Sequence, residues 1–383
     1  MLIRFTVKNF LSFKEEIEFN LLPGRIKRLE HHKYKRNEID ILKLSVIYGA
    51  NGSGKSNLIR AISLLKRIIL NDKIPQSISK YKYKLSEENQ LEPIELSIEF
   101  FAGSSIYFYS ISINDGAIVD EYLSKLGNDK SDKLIFHRNL LNEKNEITFF
   151  KGFDKFANEL MSSFHTGISN LDVEVKELDE YFGEEYRKEI EEIRDKLKEK
   201  PNNRVAFVKA ENSKDEVVVV NEGGKLITKR LKIEHKGEKN SNIEFNIDEE
   251  SDGTCRLLEY LPALSRVIRS SQTFIIDEIE RSIHPLIIKE LIEKFSIDKN
   301  TKGQLIFTTH ESNLLDQDIF RTDEIWFTEK SIVGSTKVYS LSDFKEHNTI
   351  DIRKGYLNGR YGAIPFLGNL QDLNWHKFQN ETE

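Results

Sequence analysis

The stretch that most restricts this chain is Gly49-Ala50-Asn51-Gly52-Ser53-Gly54-Lys55-Ser56, set between two segments of opposite periodicity. Before it, Leu44-Ser45-Val46-Ile47-Tyr48 is a short apolar run of strand type. After it, Leu58, Ile59, Ile62, Leu65, Ile68 and Ile69 recur at helical spacing. The eight residues match G-x-x-x-x-G-K-[ST] in the context that gives that pattern its meaning, a strand before it and a helix after. Glycines allow backbone N–H groups to curl around a phosphate, and the helix N-terminus adds favourable partial charge. Lys55 is then expected to reach the β- and γ-phosphates of a nucleotide, and Ser56 to ligate Mg²⁺. A glycine-rich turn with a surface lysine is the competing reading, and the flanking strand and helix weigh against it.

A second signal lies more than two hundred residues on. Thr273-Phe274-Ile275-Ile276 is an apolar strand ending in the adjacent carboxylates Asp277 and Glu278. At the carboxyl edge of an open α/β sheet, where ligands bind, both can face the crevice. Asp277 is expected in the Mg²⁺ shell and Glu278 as the general base that polarises an attacking water. Gln304 to Thr309 repeats the design with His310 at its end, beside the Asp277 strand, where the imidazole can meet a γ-phosphate. A third signal, Glu250-Ser251-Asp252-Gly253-Thr254, is a small polar turn opening into an apolar helix. By itself this is an ordinary N-cap.

Around these motifs the text alternates. Leu2 to Leu21 reads as two strands about a turn near Asn9–Ser12. Ile94 to Val119 reads as an antiparallel meander with a turn at Asn114-Asp115-Gly116. Glu177 to Lys200 is highly charged, with Tyr186, Ile190, Ile193 and Leu197 at helical spacing; it predicts a surface helix too short for a coiled-coil arm. Residues 205 to 248 return to strand text with a turn at Gly223-Gly224. The last third alternates strand and helix, including a helix from Pro285 to about Phe295, which predicts a parallel sheet. The boundaries expected are 1–150, an N-terminal lobe; 151–204, a helical insertion; 205–340, a C-terminal lobe; and 341–383, a tail.

Composition narrows the classes. With 38% hydrophobic and 31% charged residues among 383, the chain reads as globular, and no apolar run approaches the ~18 residues of a membrane span. A single cysteine, Cys255, forms no internal disulfide or zinc cluster and fits a reducing cytoplasm. A net charge of −6 gives no whole-protein attraction to nucleic acid. The densest basic run, Arg25 to Arg36, reads as a solvated loop, with DNA contact as the other reading. His31-His32 lacks partners at metal-ligand spacing, and Asp316-Gln317-Asp318 reads as loop.

GANGSGKSN, SDGT before a helix, IIDEIERSIHP and TTHES, in this order, resemble the ATPase heads of the ABC superclass, in the branch that holds SMC, RecF and OLD-type proteins. FTVKNFLSF is similar to that branch's first hairpin. The resemblance covers roughly residues 1–70 and 245–330. It implies an α/β fold: an ABC-type P-loop ATPase head with a mixed parallel sheet, an antiparallel β subdomain and an inserted helical segment. It implies ATP and Mg²⁺ as cofactors, with Gly49, Asn51, Gly52, Ser53, Gly54, Lys55, Ser56 and Asn57 around the nucleotide. Ser56 and Asp277 would hold the metal, and Lys55, Glu278 and His310 would serve catalysis. Ser251, Gly253 and Thr254 occupy the family's signature turn, which grips the γ-phosphate held by a second subunit; Asp252 stands where many transporters have glycine, which places the match away from transporters. Glu280 to His284 matches the D-loop region, implying contacts across a homodimer or higher oligomer. The tail Gly355–Pro365, with DEIWF at Asp323–Phe327, resembles stand-alone RloA-like ATPases of restriction-linked and abortive-infection systems.

The expectation that follows is an ATP-hydrolysing dimeric switch in the cytoplasm, controlling a separate effector, a nuclease, in antiphage defence, with no membrane partner. A RecF-like clamp on nucleic acid and an ATP-binding scaffold with little turnover are the alternatives.

Overall fold

The computed structural model describes residues 1–36, 39–71, 73–75, 77–103, 105–127, 132–137, 168–182, 191, 194, 205–209, 216–222, 225–237, 241–344 and 350–365. The chain divides into two compact units. One comprises Met1–Glu146, Arg266–Glu280 and Ile288–Glu383; the other comprises Ile147–Ser265 and Arg281–Ile287.

The first unit opens with β1 (Leu2–Lys8) and β2 (Ile17–Asn20), an antiparallel pair as expected. Ile3, Phe5 and Val7 alternate inward along β1 and are buried, as the period of two requires. β3 (Lys33–Arg36) pairs antiparallel with β4 (Ile39–Leu42), so the basic run expected as a solvated loop ends in a strand. β5 (Leu44–Tyr48) is buried at all five positions, the signature of a strand covered on both faces. It feeds α1 (Lys55–Asn71), which buries Leu58, Ala61, Leu64, Leu65 and Ile68, while Ile69 is exposed. β6 (Ile94–Ala102), β7 (Ser105–Asn114) and β8 (Ala117–Leu126) form the expected meander, followed by β9 (Lys133–His137). The β7–β8 turn holds Asp115 at φ 48° and Gly116 at φ 81°, the left-handed pair that matches the twist of a two-residue hairpin.

In the second unit β10 (Ile168–Glu177), β11 (Val205–Lys209), β12 (Glu216–Glu222), β13 (Lys225–Lys236) and β14 (Asn242–Phe245) make an antiparallel sheet ordered β10-β13-β12-β11, with β14 on β13. The expected helical face of Tyr186, Ile190, Ile193 and Leu197, and the Gly223-Gly224 turn, lie outside the described residues.

The remaining elements are α2 (Asp252–Arg269), β15 (Thr273–Ile276), α3 (Pro285–Ile297), β16 (Gln304–Thr309), β17 (Ile325–Lys330), β18 (Thr336–Ser340) and α4 (Ile352–Leu357). The nucleus of the first unit is a sheet ordered β15-β16-β5-β17-β18, parallel through its first four strands and antiparallel at β18. The six-stranded antiparallel sheet β2-β1-β6-β7-β8-β9 shares its core with α1 and the parallel sheet: Phe5, Phe19, Leu58, Leu65, Ile306 and Trp326 belong to one buried cluster. Phe19 meets Trp326 edge-on at 5.2 Å between centroids. The expected class, mixed α/β with a parallel-centred sheet and antiparallel β structure beside it, is the one observed. Among the described residues no helix is long and apolar enough to cross a membrane.

Candidate functional site

β5 delivers the glycine-rich loop to the carboxyl edge of the parallel sheet, between β16 and β17. Each glycine there answers a separate demand. Gly52 sits at φ 76° with open space around it, so its backbone alone requires glycine. Gly54 combines φ 116° with crowding: a Cβ would lie 2.5 Å from Thr336 Oγ1. At Gly49 a Cβ would lie 2.5 Å from both Ser53 Oγ and the Thr328 carbonyl. The loop is braced from outside the motif. Ser53 Oγ pairs with Thr328 Oγ1 at 2.6 Å, Thr336 Oγ1 donates to the Ser53 carbonyl at 2.7 Å, and Asn57 Nδ2 donates to Ser12 Oγ at 2.8 Å. Thr336 Oγ1 also reaches Ser12 Oγ at 2.8 Å. Ser12, Thr328 and Thr336 were not legible as parts of the site, because hydroxyls on a hairpin turn and on two distant strands carry no spacing signal.

Lys55 is 6% exposed and folds back on the loop, its Nζ donating to the Gly49 carbonyl at 2.5 Å and the Ala50 carbonyl at 3.1 Å. Burial lowers its pKa from the ordinary lysine value, opposed by the charges of Glu280, Glu278 and Asp277. An ammonium held by two backbone carbonyls is a donor that phosphate oxygens can take over, and the nearby carboxylates call for a cation to accompany such an anion.

The carboxylates come from the end of β15, which pairs with β16 as expected. Thr308 of β16 is fully buried and joins them. Its hydroxyl donates to Asp277 Oδ1 at 2.5 Å and accepts from the Glu278 N–H at 2.8 Å, while its carbonyl accepts from the Ile279 N–H at 3.1 Å. Glu278 is held at φ 51°, a conformation that non-glycine residues seldom adopt and that turns it off the strand direction. This answers how two adjacent residues can share one crevice: the chain leaves the β conformation between them. His310, one residue past β16, is 56% exposed, and its Nδ1 lies 2.7 Å from Glu280 Oε1. The structure therefore brings the Gly49–Asn57 loop, Asp277, Glu278 and His310 to one edge of one unit.

Ser251, Gly253 and Thr254 belong to the second unit. Ser251 Oγ accepts from the Thr254 N–H at 3.1 Å and pairs with Thr254 Oγ1 at 2.8 Å, which is the geometry of an N-cap on α2. A Cβ on Gly253 would lie 2.5 Å from the Ser282 carbonyl, and Ser282 is itself at φ 62°. Ser251 remains exposed, whereas Thr254 is buried.

Elsewhere in the first unit the basic run is engaged. Arg28 donates to Gln317 at 3.0 Å and Asp318 at 2.7 Å, and Lys33 contacts Glu30 and Asp40 at 2.5 and 3.7 Å. His32, read as part of a solvated loop, is 1% exposed: its Nδ1 sits 2.9 Å from both carboxyl oxygens of fully buried Glu324. Burial lowers the His32 pKa to about 3 and raises that of Glu324 well above the carboxylate range. Beside them Arg321, also buried, donates to both oxygens of Asp323 at 2.9 and 2.8 Å and to the Ile26 and Arg28 carbonyls at 3.1 and 2.6 Å. Asp316 to Asp318 are loop, as expected. Among the described residues no cluster of three or more His, Cys, Asp or Glu could hold a metal.

Among solved structures the chain is similar to the SMC head domain from Thermotoga maritima, at 13% identity over 88% of this chain and 98% of that one, TM-score 0.42. It is also similar to an SmcHead bound to the C-winged helix domain of ScpA, at 15% identity over 90% of this chain and 99% of that one, TM-score 0.47. No curated protein matches. A family profile matches residues 44–316, a span that starts on β5, takes in the phosphate-type loop, the Asp277–Glu278 pair and His310, and covers well over half of the chain. The chain belongs to the family described as AAA domain, putative AbiEii toxin, Type IV TA system.

Proposed function

We propose that the protein is a dimeric ATP-hydrolysing switch that controls a separate effector, a nuclease, in cytoplasmic defence against phage. The observation that carries the nucleotide chemistry is the meeting, at one sheet edge, of a preformed glycine loop, buried Lys55, and an acid pair in which Thr308 holds the Asp277 carboxylate and the Glu278 backbone. The residues fit ATP. Gly49 and Gly54 let the loop pack against Thr328, Ser53 and Thr336 where a Cβ would clash, Gly52 has open space around it, and Lys55 is held among carbonyls it can exchange for phosphate oxygens. They also fit Mg²⁺, a hard cation that takes one or two protein oxygens and completes its shell with phosphate and water. Ser56 and Asp277 would supply those oxygens, and a bound Mg²⁺ would neutralise charge on the phosphates.

In this reading Lys55 leaves the Gly49 and Ala50 carbonyls to hold the β- and γ-phosphates. Glu278 accepts a proton from the attacking water, and His310 holds the γ-phosphate through its outward Nε2. The loop glycines with Asn51, Ser53 and Asn57 orient the nucleotide. Ser251, Gly253 and Thr254 of a second copy close the site, since an exposed serine at a helix N-terminus offers donors to an anion without a basic residue. The N-cap geometry is compatible with this, because Ser251 is accessible while Thr254 fixes its rotamer. The defence role is supported by the family's description as a putative toxin of a toxin–antitoxin system, and by the RloA-like text of the tail beside the OLD-type motif set. The paired state of Arg28 and Lys33 gives the nucleic-acid clamp no specific support.

Phosphate release from purified protein, with and without Mg²⁺ and the product of the neighbouring gene, tests the reading. Mg²⁺-dependent turnover that Lys55→Ala abolishes is expected. No turnover under any of these conditions overturns the enzymatic claim.

A further inference from the structure

Thr336, the first residue of β18, is 4% exposed and is tied down at both its backbone and its side chain. Its backbone N–H donates to the Ser12 carbonyl at 2.8 Å, which fastens the start of β18 to the turn between β1 and β2. Its hydroxyl carries one proton and has two acceptors in reach, the Ser53 carbonyl at 2.7 Å and Ser12 Oγ at 2.8 Å. Ser12 Oγ also receives Asn57 Nδ2 at 2.8 Å, so the carbonyl, nearer and buried, has the first claim on the proton. Glycine at position 54 is what lets a hydroxyl come so close: a Cβ there would lie 2.5 Å from Thr336 Oγ1 and 3.1 Å from Ser12 Oγ. Among the described residues the Gly54 N–H has no hydrogen-bond partner of its own.

We infer that Thr336 is a positioning residue for the Gly54 N–H. In a planar trans peptide the carbonyl and the following N–H point in opposite directions. Capture of the Ser53 carbonyl by Thr336 therefore aims the Gly54 N–H away from β18, and φ 116° at Gly54 lets α1 start directly after that peptide. An N–H held unpaired at a helix N-terminus, one residue before Lys55, is a donor kept for an anion. Without the hydroxyl the Ser53–Gly54 peptide loses its outer hold, its plane rotates, and the donor leaves its line. A hydrogen bond made to a phosphate both before and during hydrolysis contributes to binding and little to kcat, which separates Thr336 from Thr308. That this N–H meets a phosphate rests on the proposed function; that Thr336 sets the peptide plane does not.

Of the chain's 20 glycines, Gly54 alone follows a serine. Full-length protein carrying ¹³C at serine carbonyls and ¹⁵N at glycines therefore gives a single carbonyl-correlated amide signal, from the Ser53–Gly54 peptide. In nucleotide-free protein Thr336→Ala should move the carbonyl carbon to lower shift, as loss of its donor requires, while Thr336→Ser, which keeps the hydroxyl, should leave it near the wild-type value. Adding ADP with Mg²⁺ to the wild type should move the amide proton to higher shift. In turnover Thr336→Ala should raise the KM for ATP about tenfold or more with kcat within about threefold, and Thr336→Ser should stay within about threefold in both. A carbonyl carbon indifferent to Thr336→Ala, in protein whose circular dichroism is unchanged, overturns the inference. So does a wild-type amide proton that ignores ADP shown by calorimetry to be bound, or an equal rise in KM in both variants. If the wild type binds no nucleotide the proposed function fails, and the carbonyl carbon still decides whether Thr336 sets the peptide plane.

Discussion

Thr308→Val removes one hydroxyl and little volume, and its consequences can be worked from two distances. The wild-type hydroxyl donates to Asp277 Oδ1 at 2.5 Å and accepts from the Glu278 N–H at 2.8 Å, in a residue with no exposed surface. Valine leaves the Glu278 N–H without an acceptor, which costs about 1–3 kcal/mol for a buried donor. It also takes a hydrogen bond from a carboxylate, worth about 1.5–3 kcal/mol. Because both groups are half-buried and water can reach part of the crevice, the lower half of the sum applies, about 2–4 kcal/mol of stability. Catalysis should suffer more than binding. Without its anchor Glu278 relaxes from φ 51°, and the carboxylate moves off the reacting water, lowering kcat at least about tenfold. Thr308→Ser keeps the hydroxyl and should stay near wild type in both. Urea unfolding and steady-state phosphate release measure the two effects. A Thr308→Val protein within about 0.5 kcal/mol of wild type, with unchanged kcat, refutes the idea that this hydroxyl sets the acid pair.

Four further outcomes follow from other parts of the molecule. Gly54→Ala must hold alanine at φ 116° with its Cβ 2.5 Å from Thr336 Oγ1; it should lose at least about 1–3 kcal/mol and fluorescent-nucleotide binding with it. Glu278→Gln should cut kcat by about 10²–10⁴ while nucleotide stays bound and traps the closed dimer on gel filtration; unchanged turnover would assign the base elsewhere. Gly253→Ala should destabilise its own unit by forcing the Ser282 carbonyl away, seen as faster proteolysis near α2. The fourth concerns pH. Between about 4.5 and 6.5, the ordinary values of Glu and His, the folded pair holds one proton on Glu324 while the unfolded chain holds one on His32, so the pair gives stability no slope there. Glu324→Gln removes half of that balance. With a folded His32 pKa of about 3, the variant should lose stability as pH falls below 6.5, approaching about 1.4 kcal/mol per pH unit; a slope equal to wild type in pH-resolved urea unfolding counts against a neutral buried pair.

What the chain revealed of itself divides along physical lines. The loop, β5, α1, β15, β16 and the meander were legible because each is a local pattern: a glycine spacing, an apolar run, a period of two or of 3.6. The adjacency of β15 and β16 was legible too, because parallel strands at one sheet edge are the usual use of such a text. Residues that act at a distance were not. Thr308, Thr328, Thr336 and Ser12 brace the site through hydroxyls whose partners lie up to 324 residues away, and nothing in a linear text marks a threonine as bridging. The basic run misled for a related reason. Its charge suggested a solvated loop, but Glu324 at the start of β17 buries His32, and Arg321 gathers the Ile26 and Arg28 carbonyls, so the segment is fastened down by acids and bases nearly 300 residues on. The Ser251 turn shows the opposite limit. Its N-cap is complete within the chain, so its local geometry serves both a structural and a ligand-binding reading.

That ambiguity makes one mixing experiment decisive. Lys55→Ala lacks the phosphate lysine and Ser251→Arg blocks an exposed position on the opposite unit, so each variant alone should be inactive. If two copies build each nucleotide site, random pairing at a 1:1 ratio restores one intact site in each mixed dimer, and turnover should recover to roughly a quarter of wild type. No recovery from mixing, or full turnover by Ser251→Arg alone, would contradict a site completed by a second chain.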